Sequence, residues 1–169
     1  MPRTFRLIFS AIFLACAGML AFAILYLQGT LYLDPCPMCV LQRMVMMLIA
    51  LVSLAAAIHD PAAAGRRVYG GLAGLIALGG AGIALRHSWL QWFPPDSLRC
   101  IGSDLEALLN NSPLFEALPK IFGGSGECST VGWTFLHLSI PEWNIVWFLV
   151  FAAVSLLALL RPAWFKRRE

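Results

Sequence analysis

Four stretches of the chain are almost continuously apolar, and the polar residues are concentrated between them. The apolar runs cover residues 7–27, 40–58, 68–85 and 143–160. Each approaches the roughly 20 residues that a helix needs to cross about 30 Å of hydrocarbon. Because the runs are continuous rather than alternating, they favour helices over the strands of a membrane barrel. The pattern predicts an all-α membrane protein, a four-transmembrane-helix bundle that forms one domain over residues 1–169.

The third run is unusually rich in small residues. Gly70 and Gly74 are four residues apart, and Ala73, Ala77 and Ala81 continue the same spacing. Small residues at this spacing let the backbones of two membrane helices approach closely. We therefore expect this helix to pack tightly against a neighbour.

The composition agrees with a bilayer environment. Hydrophobic residues make up 60% of the 169 residues and charged residues 12%, about half the charged share of a soluble domain. A soluble fold of this size could not cover so much apolar surface. The net charge is only +3, and no basic stripe interleaved with aromatic residues argues for nucleic acid binding.

The distribution of charge predicts the orientation. Eight of the twelve basic residues fall on one side of four crossings, namely Arg3, Arg6, Arg66, Arg67, Arg161, Lys166, Arg167 and Arg168. Seven of the nine acidic residues fall on the other, namely Asp34, Asp96, Asp104, Glu106, Glu116, Glu127 and Glu142. The positive-inside rule makes the basic side cytoplasmic. Both termini and a loop at about 59–67 are then inside, and loops at about 28–39 and 87–142 are outside.

The longer outer loop contains two short helical candidates. Ser103, followed three residues later by Glu106, forms a capping box that opens a helix through Leu109. Residues 113–122 place apolar side chains on one side at helical spacing. This second segment either lies on the membrane surface or packs against the outer end of the bundle.

Four of the five cysteines lie in the outer loops, where disulfides persist. They are Cys36 and Cys39 in the first loop and Cys100 and Cys128 in the second. The spacing favours pairing within each loop, although exchange between the pairs is chemically open. Cys16 lies deep in the first run, and we expect it to be an inert buried thiol.

The segment Cys36-Pro37-Met38-Cys39 begins the second run. Its two cysteines close too small a loop for much chain-entropy stabilisation, so the value of the pair is chemical. Pro37 suits the first turn of a helix, which places Cys39 among free N–H groups that favour a thiolate. Arg43 follows four residues later on the same face and, inside an apolar span, needs an anionic or polar partner.

Two other interpretations of the cysteines stay open on the residues alone. Cys36 and Cys39 could be half of a zinc site completed by Cys100, Cys128, His87 or His137, but no second closely spaced ligand pair is present. Cys100 and Cys128 could simply tie down a long loop. The whole chain could then be a non-catalytic four-helix scaffold stapled by disulfides.

The arrangement as a whole resembles the disulfide bond formation protein B family, DsbB. The resemblance covers nearly the full chain. It rests on four spans, the cysteine placement, and two segments that read Cys-Pro-Met-Cys-Val-Leu-Gln-Arg over 36–43 and Arg-His-Ser-Trp-Leu-Gln over 86–91. It continues from Cys128 through Trp133 to Trp143.

The resemblance implies a protein-dithiol:quinone oxidoreductase of the bacterial inner membrane. Such a protein reoxidises the periplasmic thiol oxidase DsbA and passes the electrons to ubiquinone or menaquinone. Cys100 would form the mixed disulfide with the partner, and Cys128 would exchange with Cys36. Cys39 would be the thiolate beside the quinone. Residues implied to bind the quinone are Arg43, His87 and Trp133, and no metal is implied.

Overall fold

The long helices of the protein account for most of the chain. The computed structural model describes residues 3–94 and 126–160. Its long helices are α1 (Arg3–Ala21), which a π-helical segment (Phe22–Gln28) extends, α2 (Pro37–His59), α3 (Ala63–Trp92) and α4 (Ile140–Leu160). Four helical stretches are long and apolar enough to cross a membrane. The predicted four-helix membrane fold is therefore confirmed.

Helix α3 continues further than the apolar pattern indicated. The pattern placed the start of the second outer loop at about residue 87, whereas the helix ends at Trp92. Arg86 and His87 interrupt the apolar run, but nothing before Pro94 prevents helical hydrogen bonding. At 30 residues, α3 is about 45 Å long. Its last turns therefore extend the bundle towards the cysteine-bearing loops.

The close helix contact predicted from small residues is that between α3 and α4. Gly70 lies directly against the α4 backbone, so that a Cβ atom there would sit 2.7 Å from the Ser155 carbonyl oxygen. Ala73 and Ala77 are completely buried on the same face. The small-residue spacing is therefore confirmed as a packing surface.

The ends of the helices opposite the cysteines also meet. Arg66, near the start of α3, forms an ion pair with Asp60 at 3.7 Å and donates a hydrogen bond from Nε to the Pro61 carbonyl at 2.9 Å. Its guanidinium lies 5.2 Å from the ring centre of Phe5 in α1. The starts of α1 and α3 therefore share one end of the bundle with the end of α2.

A short hairpin precedes α4 at the other end. Strands β1 (Thr134–Phe135) and β2 (Leu138–Ser139) are antiparallel, and both turn residues between them have positive φ, as a two-residue hairpin turn requires. The Trp143 indole donates to the Phe135 carbonyl at 3.0 Å. The hairpin is thereby attached to the first turn of α4.

Several predicted features lie outside the described residues. They are Cys100, the two short helical candidates of the second outer loop, and the basic residues that follow α4.

We expect Gly70→Ala to destabilise the bundle, because the new methyl group would meet the Ser155 carbonyl and the Leu159 amide of α4. Overpacking of this kind costs about 1–3 kcal/mol. Gly79→Ala is the matched control, since a Cβ atom there meets no heavy atom within 4 Å. Reversible unfolding in mixed detergent micelles measures both variants, and equal stabilities would contradict this account of the α3–α4 contact.

Candidate active site

The first turn of α2 is capped by a cysteine sulfur. Cys36 is extended (φ −65°, ψ 161°) and directly precedes the helix, and Pro37 occupies its first turn. The Cys39 backbone N–H donates to Cys36 Sγ at 3.4 Å. A side chain that accepts from a first-turn amide satisfies one of the donors that every helix start leaves free. The predicted positions of Pro37 and Cys39 within this turn are confirmed.

Three of the outer cysteines come close together and form what we call the sulfur cluster (Cys36, Cys39 and Cys128). Cys36 and Cys39 are thiols with their sulfurs 3.2 Å apart. Cys128 lies in a 3-10 helix (Gly126–Ser129), and its Sγ, Cys36 Sγ and a ring nitrogen of His87 all lie within 4.8 Å of one another. The fold thus brings a cysteine of the second outer loop against the pair at the start of α2.

The environment of Cys36 opposes its ionisation. Its pKa is raised, first by the hydrogen bond with the Cys128 side chain, then by that with Cys39, and further by burial. Only 5% of Cys36 is exposed. An isolated thiolate in this position would be poorly solvated, so any step that creates one needs a donor group beside it.

Cys39 also lines a large cavity. Its volume is about 770 Å³, and its walls are mainly aliphatic and aromatic. The residues that line it are Ala15, Gly18, Met19, Leu20, Phe22, Ala23, Tyr26, Leu27, Leu33, Asp34, Pro35, Cys39, Arg43, Met46, Trp133, Phe135, Ile140, Trp143, Asn144 and Trp147. The cavity therefore joins the π-helical end of the first span, the hairpin and the starts of α2 and α4.

Arg43 lines this cavity and has a polar partner from the first span. Its NH1 group donates to Gln28 Oε1 at 2.5 Å. Gln28 is the last residue of the π-helical segment, and such segments often occur at functional sites. The prediction that Arg43 needs a polar partner is confirmed, although the sequence pattern did not identify Gln28. Gln28 directly follows an apolar run. Polar residues are common at such positions, so the pattern gave no reason to single it out.

Trp133 lines both the large cavity and a smaller one beside it, whereas His87 lines the smaller one. Trp133 lines the large cavity and packs edge-on against Phe22, with ring centres 5.7 Å apart. Among the described residues, His87 is not part of that lining. It lies instead beside Cys36, with Nε2 3.6 Å from Sγ, and lines a smaller cavity of about 150 Å³.

Two further polar residues connect to His87, and the sequence patterns did not single them out. Gln42 Nε2 lies 3.0 Å from His87 Nδ1, and Asn144 Nδ2 donates to Gln42 Oε1 at 2.6 Å. Both amides interrupt apolar runs, which is the signal that could have identified them, because polar groups inside a span are costly and usually have partners.

Buried thiols within reach of a ring nitrogen can hold a soft metal ion or exchange disulfides. Of the candidates for a zinc site, Cys128 and His87 lie beside Cys36. His137 is exposed at the hairpin turn. The site thus belongs to a multi-pass membrane protein with clustered cysteines at one end of its bundle.

Comparison with known proteins shows which family within this class the chain resembles. The family model for disulfide bond formation protein DsbB matches residues 5–158. A disulfide bond formation protein B from Azoarcus sp. (strain BH72) is 47% identical over 159 residues, covering 94% of this chain and 93% of the relative. One from Methylococcus capsulatus is 47% identical over 145 residues, covering 86% and 88%.

The chain belongs to the disulfide bond formation protein B family. It is therefore a membrane protein with a disulfide oxidoreductase role, as the sequence resemblance implied.

We expect Gln28→Leu to destabilise the protein by about 1–3 kcal/mol, because it leaves the Arg43 guanidinium without the acceptor that it has in the structure. Gln28→Glu is the control, since it keeps an acceptor oxygen in a side chain of the same length. Unfolding in detergent, followed by circular dichroism, compares the two. Similar losses in both variants would show that the Arg43 contact contributes little.

Proposed function

We propose that the protein reoxidises a periplasmic DsbA-type thiol oxidase and passes the electrons to a membrane quinone. The observation that carries this proposal is the position of Cys39. Its sulfur is 3.2 Å from that of Cys36, in the sulfur cluster, and the same residue lines the large cavity together with Arg43. A cysteine in both places can connect disulfide exchange to an electron acceptor.

The large cavity has the chemistry that a quinone requires. Its volume of about 770 Å³ is within the range of roughly 300–1,000 Å³ typical of ligand pockets, which are largely apolar with a few placed polar groups. Trp133, Trp143 and Trp147 supply flat apolar walls, while Arg43 and Asn144 supply hydrogen-bond donors. These residues would hold the ring. When bound, a quinone supplies an acceptor for two electrons and two protons.

The sulfur cluster supplies the exchange steps. In the oxidised protein, a thiolate of the partner first attacks Cys100 in the Cys100–Cys128 disulfide, so that a partner–Cys100 bond forms and Cys128 leaves as a thiolate. The Cys128 thiolate then attacks Cys36 in the Cys36–Cys39 disulfide. The Cys36–Cys128 bond forms, the Cys36–Cys39 bond breaks, and the electron pair leaves on Cys39. The first-turn amides of α2 and the nearby Arg43 both favour negative charge on that sulfur.

Release of the partner and return of the cysteines to their first pairing complete the cycle. The partner's second thiolate attacks the partner sulfur of the mixed disulfide, which forms the partner's own disulfide and frees Cys100 as a thiolate. Cys100 then attacks Cys128 and releases Cys36, and the Cys36–Cys39 bond forms again as two electrons pass to the quinone. Overall, the partner dithiol loses two electrons and two protons, and the quinone gains them. The same reaction supports disulfide bond formation in proteins outside the cytoplasm.

We further propose that both termini face the cytoplasm of a bacterial inner membrane and that the sulfur cluster faces the periplasm. Support comes from the basic residues at the starts of α1 and α3. These two helix starts share the end of the bundle opposite Cys36, where Arg66 of α3 lies over the Phe5 ring of α1. Thiol exchange with a secreted partner also requires an oxidising compartment.

We expect Cys39→Ser to abolish quinone reduction by a reduced DsbA-type partner, because the sulfur that faces the large cavity is lost. Cys16→Ala is the matched control, since Cys16 is a thiol that belongs to the hydrophobic core instead of the sulfur cluster. Quinone absorbance and partner thiols would be followed together in purified protein. If neither ubiquinone nor menaquinone is consumed by the unmodified protein, a scaffold stapled by disulfides becomes the better description.

Reporter fusions test the orientation separately. A fluorescent protein that matures only in the cytoplasm should be bright at the C-terminus and dark after residue 94. Alkaline phosphatase, which is active only outside the cytoplasm, should give the reverse result. Phosphatase activity at the C-terminus would contradict the proposed orientation.

A further inference from the structure

A buried series of hydrogen bonds leads from α4 through α2 and α3 to the Cys36 sulfur. Asn144 Nδ2 donates to Gln42 Oε1 at 2.6 Å, and Gln42 Nε2 lies 3.0 Å from His87 Nδ1. His87 Nε2 then lies 3.6 Å from Cys36 Sγ. Gln42 and His87 are only 1% and 2% exposed, so bulk water does not compete for these contacts.

The Gln42 amide determines which group donates and which accepts in each hydrogen bond of this series. Because the Gln42 oxygen accepts from Asn144, the Gln42 amide group turns its NH₂ towards His87, and an NH₂ group can only donate. Nδ1 of His87 must therefore be the acceptor. In the neutral ring the hydrogen then sits on Nε2, which lies beside the Cys36 sulfur. The His87 ring also forms a hydrogen bond with the Cys128 backbone.

We propose that Gln42 and Asn144 are positioning residues that fix His87 as a hydrogen-bond donor to Cys36, and that this donor stabilises Cys36 as the leaving thiolate of disulfide exchange. The inference rests on the proposed function, which requires Cys36 to leave. It assigns His87 to the sulfur cluster rather than to the large cavity.

The step that uses this donor is the release of Cys36 from Cys128. The Cys100 thiolate attacks Cys128 Sγ, the Cys100–Cys128 bond forms, and the Cys36–Cys128 bond breaks. The electron pair passes to Cys36 Sγ, and no proton is transferred. His87 keeps its proton and donates a hydrogen bond to the new thiolate, an interaction stronger than one to a neutral thiol.

The other groups around Cys36 make such a donor necessary. The titratable groups nearby are Cys39 on α2, Cys128 on the 3-10 helix, and Asp34, which lines the same small cavity. The first two raise the pKa of Cys36. In the described part of the chain the Cys39 amide donates to Cys36 Sγ at 3.4 Å, and in the direction inferred here His87 donates to it as well.

The direction of the hydrogen bond from Gln42 to His87 is incompatible with a zinc ion bound at Nε2 of His87. Cys36, His87 and Cys128 have ligand atoms close enough to share a metal ion. Metal binding needs the lone pair of Nε2, whereas donation by Gln42 to Nδ1 places a hydrogen there. Hydrogen bonding and metal binding by His87 therefore give opposite results in a binding experiment.

The test measures the reactivity of Cys36 directly. In a full-length protein carrying Cys16→Ala, Cys39→Ser, Cys100→Ser and Cys128→Ser, the thiol of Cys36 is the only one left. Its alkylation rate is measured against pH. We expect Gln42→Met, added to this protein, to raise the midpoint by about one pH unit, which is a tenfold loss of thiolate at a given pH below it. His87→Phe should give a similar rise, and the two together no more than either.

Two further variants complete the design. Asn144→Ala should give a smaller rise and decides the question if Gln42→Met fails to fold. Ser53→Ala is the control, since Ser53 is a buried polar residue on the same helix, and it should leave the midpoint unchanged.

The outcomes are distinct from those of the proposed function, because alkylation needs neither quinone nor partner. A rise in His87→Phe without one in Gln42→Met and Asn144→Ala would overturn the positioning role. No rise in any variant would overturn the donor itself. Stoichiometric zinc binding by the fully reduced protein, lost in His87→Phe, would show that Nε2 presents a lone pair and would also overturn the proposal.

Discussion

Polar groups inside a membrane protein must find their partners within the protein, because hydrocarbon offers none. In this chain that constraint determines how the outer end of the bundle is built. Arg43 is held by Gln28 from the first span, and Gln42 is held between Asn144 and His87. These contacts link every spanning helix to α2. The residues that bring the chemistry together are thus also those that could not be buried alone.

Close packing of α3 against α4 makes the second of these links possible. The small residues of α3 allow the two backbones to approach, and further along the pair His87 and Asn144 face Gln42. A packing surface near one end of the bundle therefore supports a hydrogen-bonded series near the other. Larger side chains at Gly70 would separate the helices and, with them, the donors and acceptors.

The start of α2 divides the active site into two environments. On one side Cys36 is buried beside Cys128 and His87, an arrangement that suits exchange between sulfurs. On the other, Cys39 and Arg43 face a large apolar cavity that suits a flat ring. Two cysteines separated by Pro37 and Met38 are enough to join these environments, because Cys39 lies beside Cys36 and also lines the large cavity.

The sequence by itself determined the four spans, the small-residue contact and the first turn of α2, since hydropathy, residue size and helix capping are local properties. It also indicated that Arg43 needs a partner, but not that the partner is Gln28. Only the tertiary structure decided that Cys128 lies beside Cys36 and that His87 joins Gln42 and Asn144. Those contacts join residues 45 to 102 positions apart, and their geometry depends on how whole helices pack, which no local pattern in the sequence expresses.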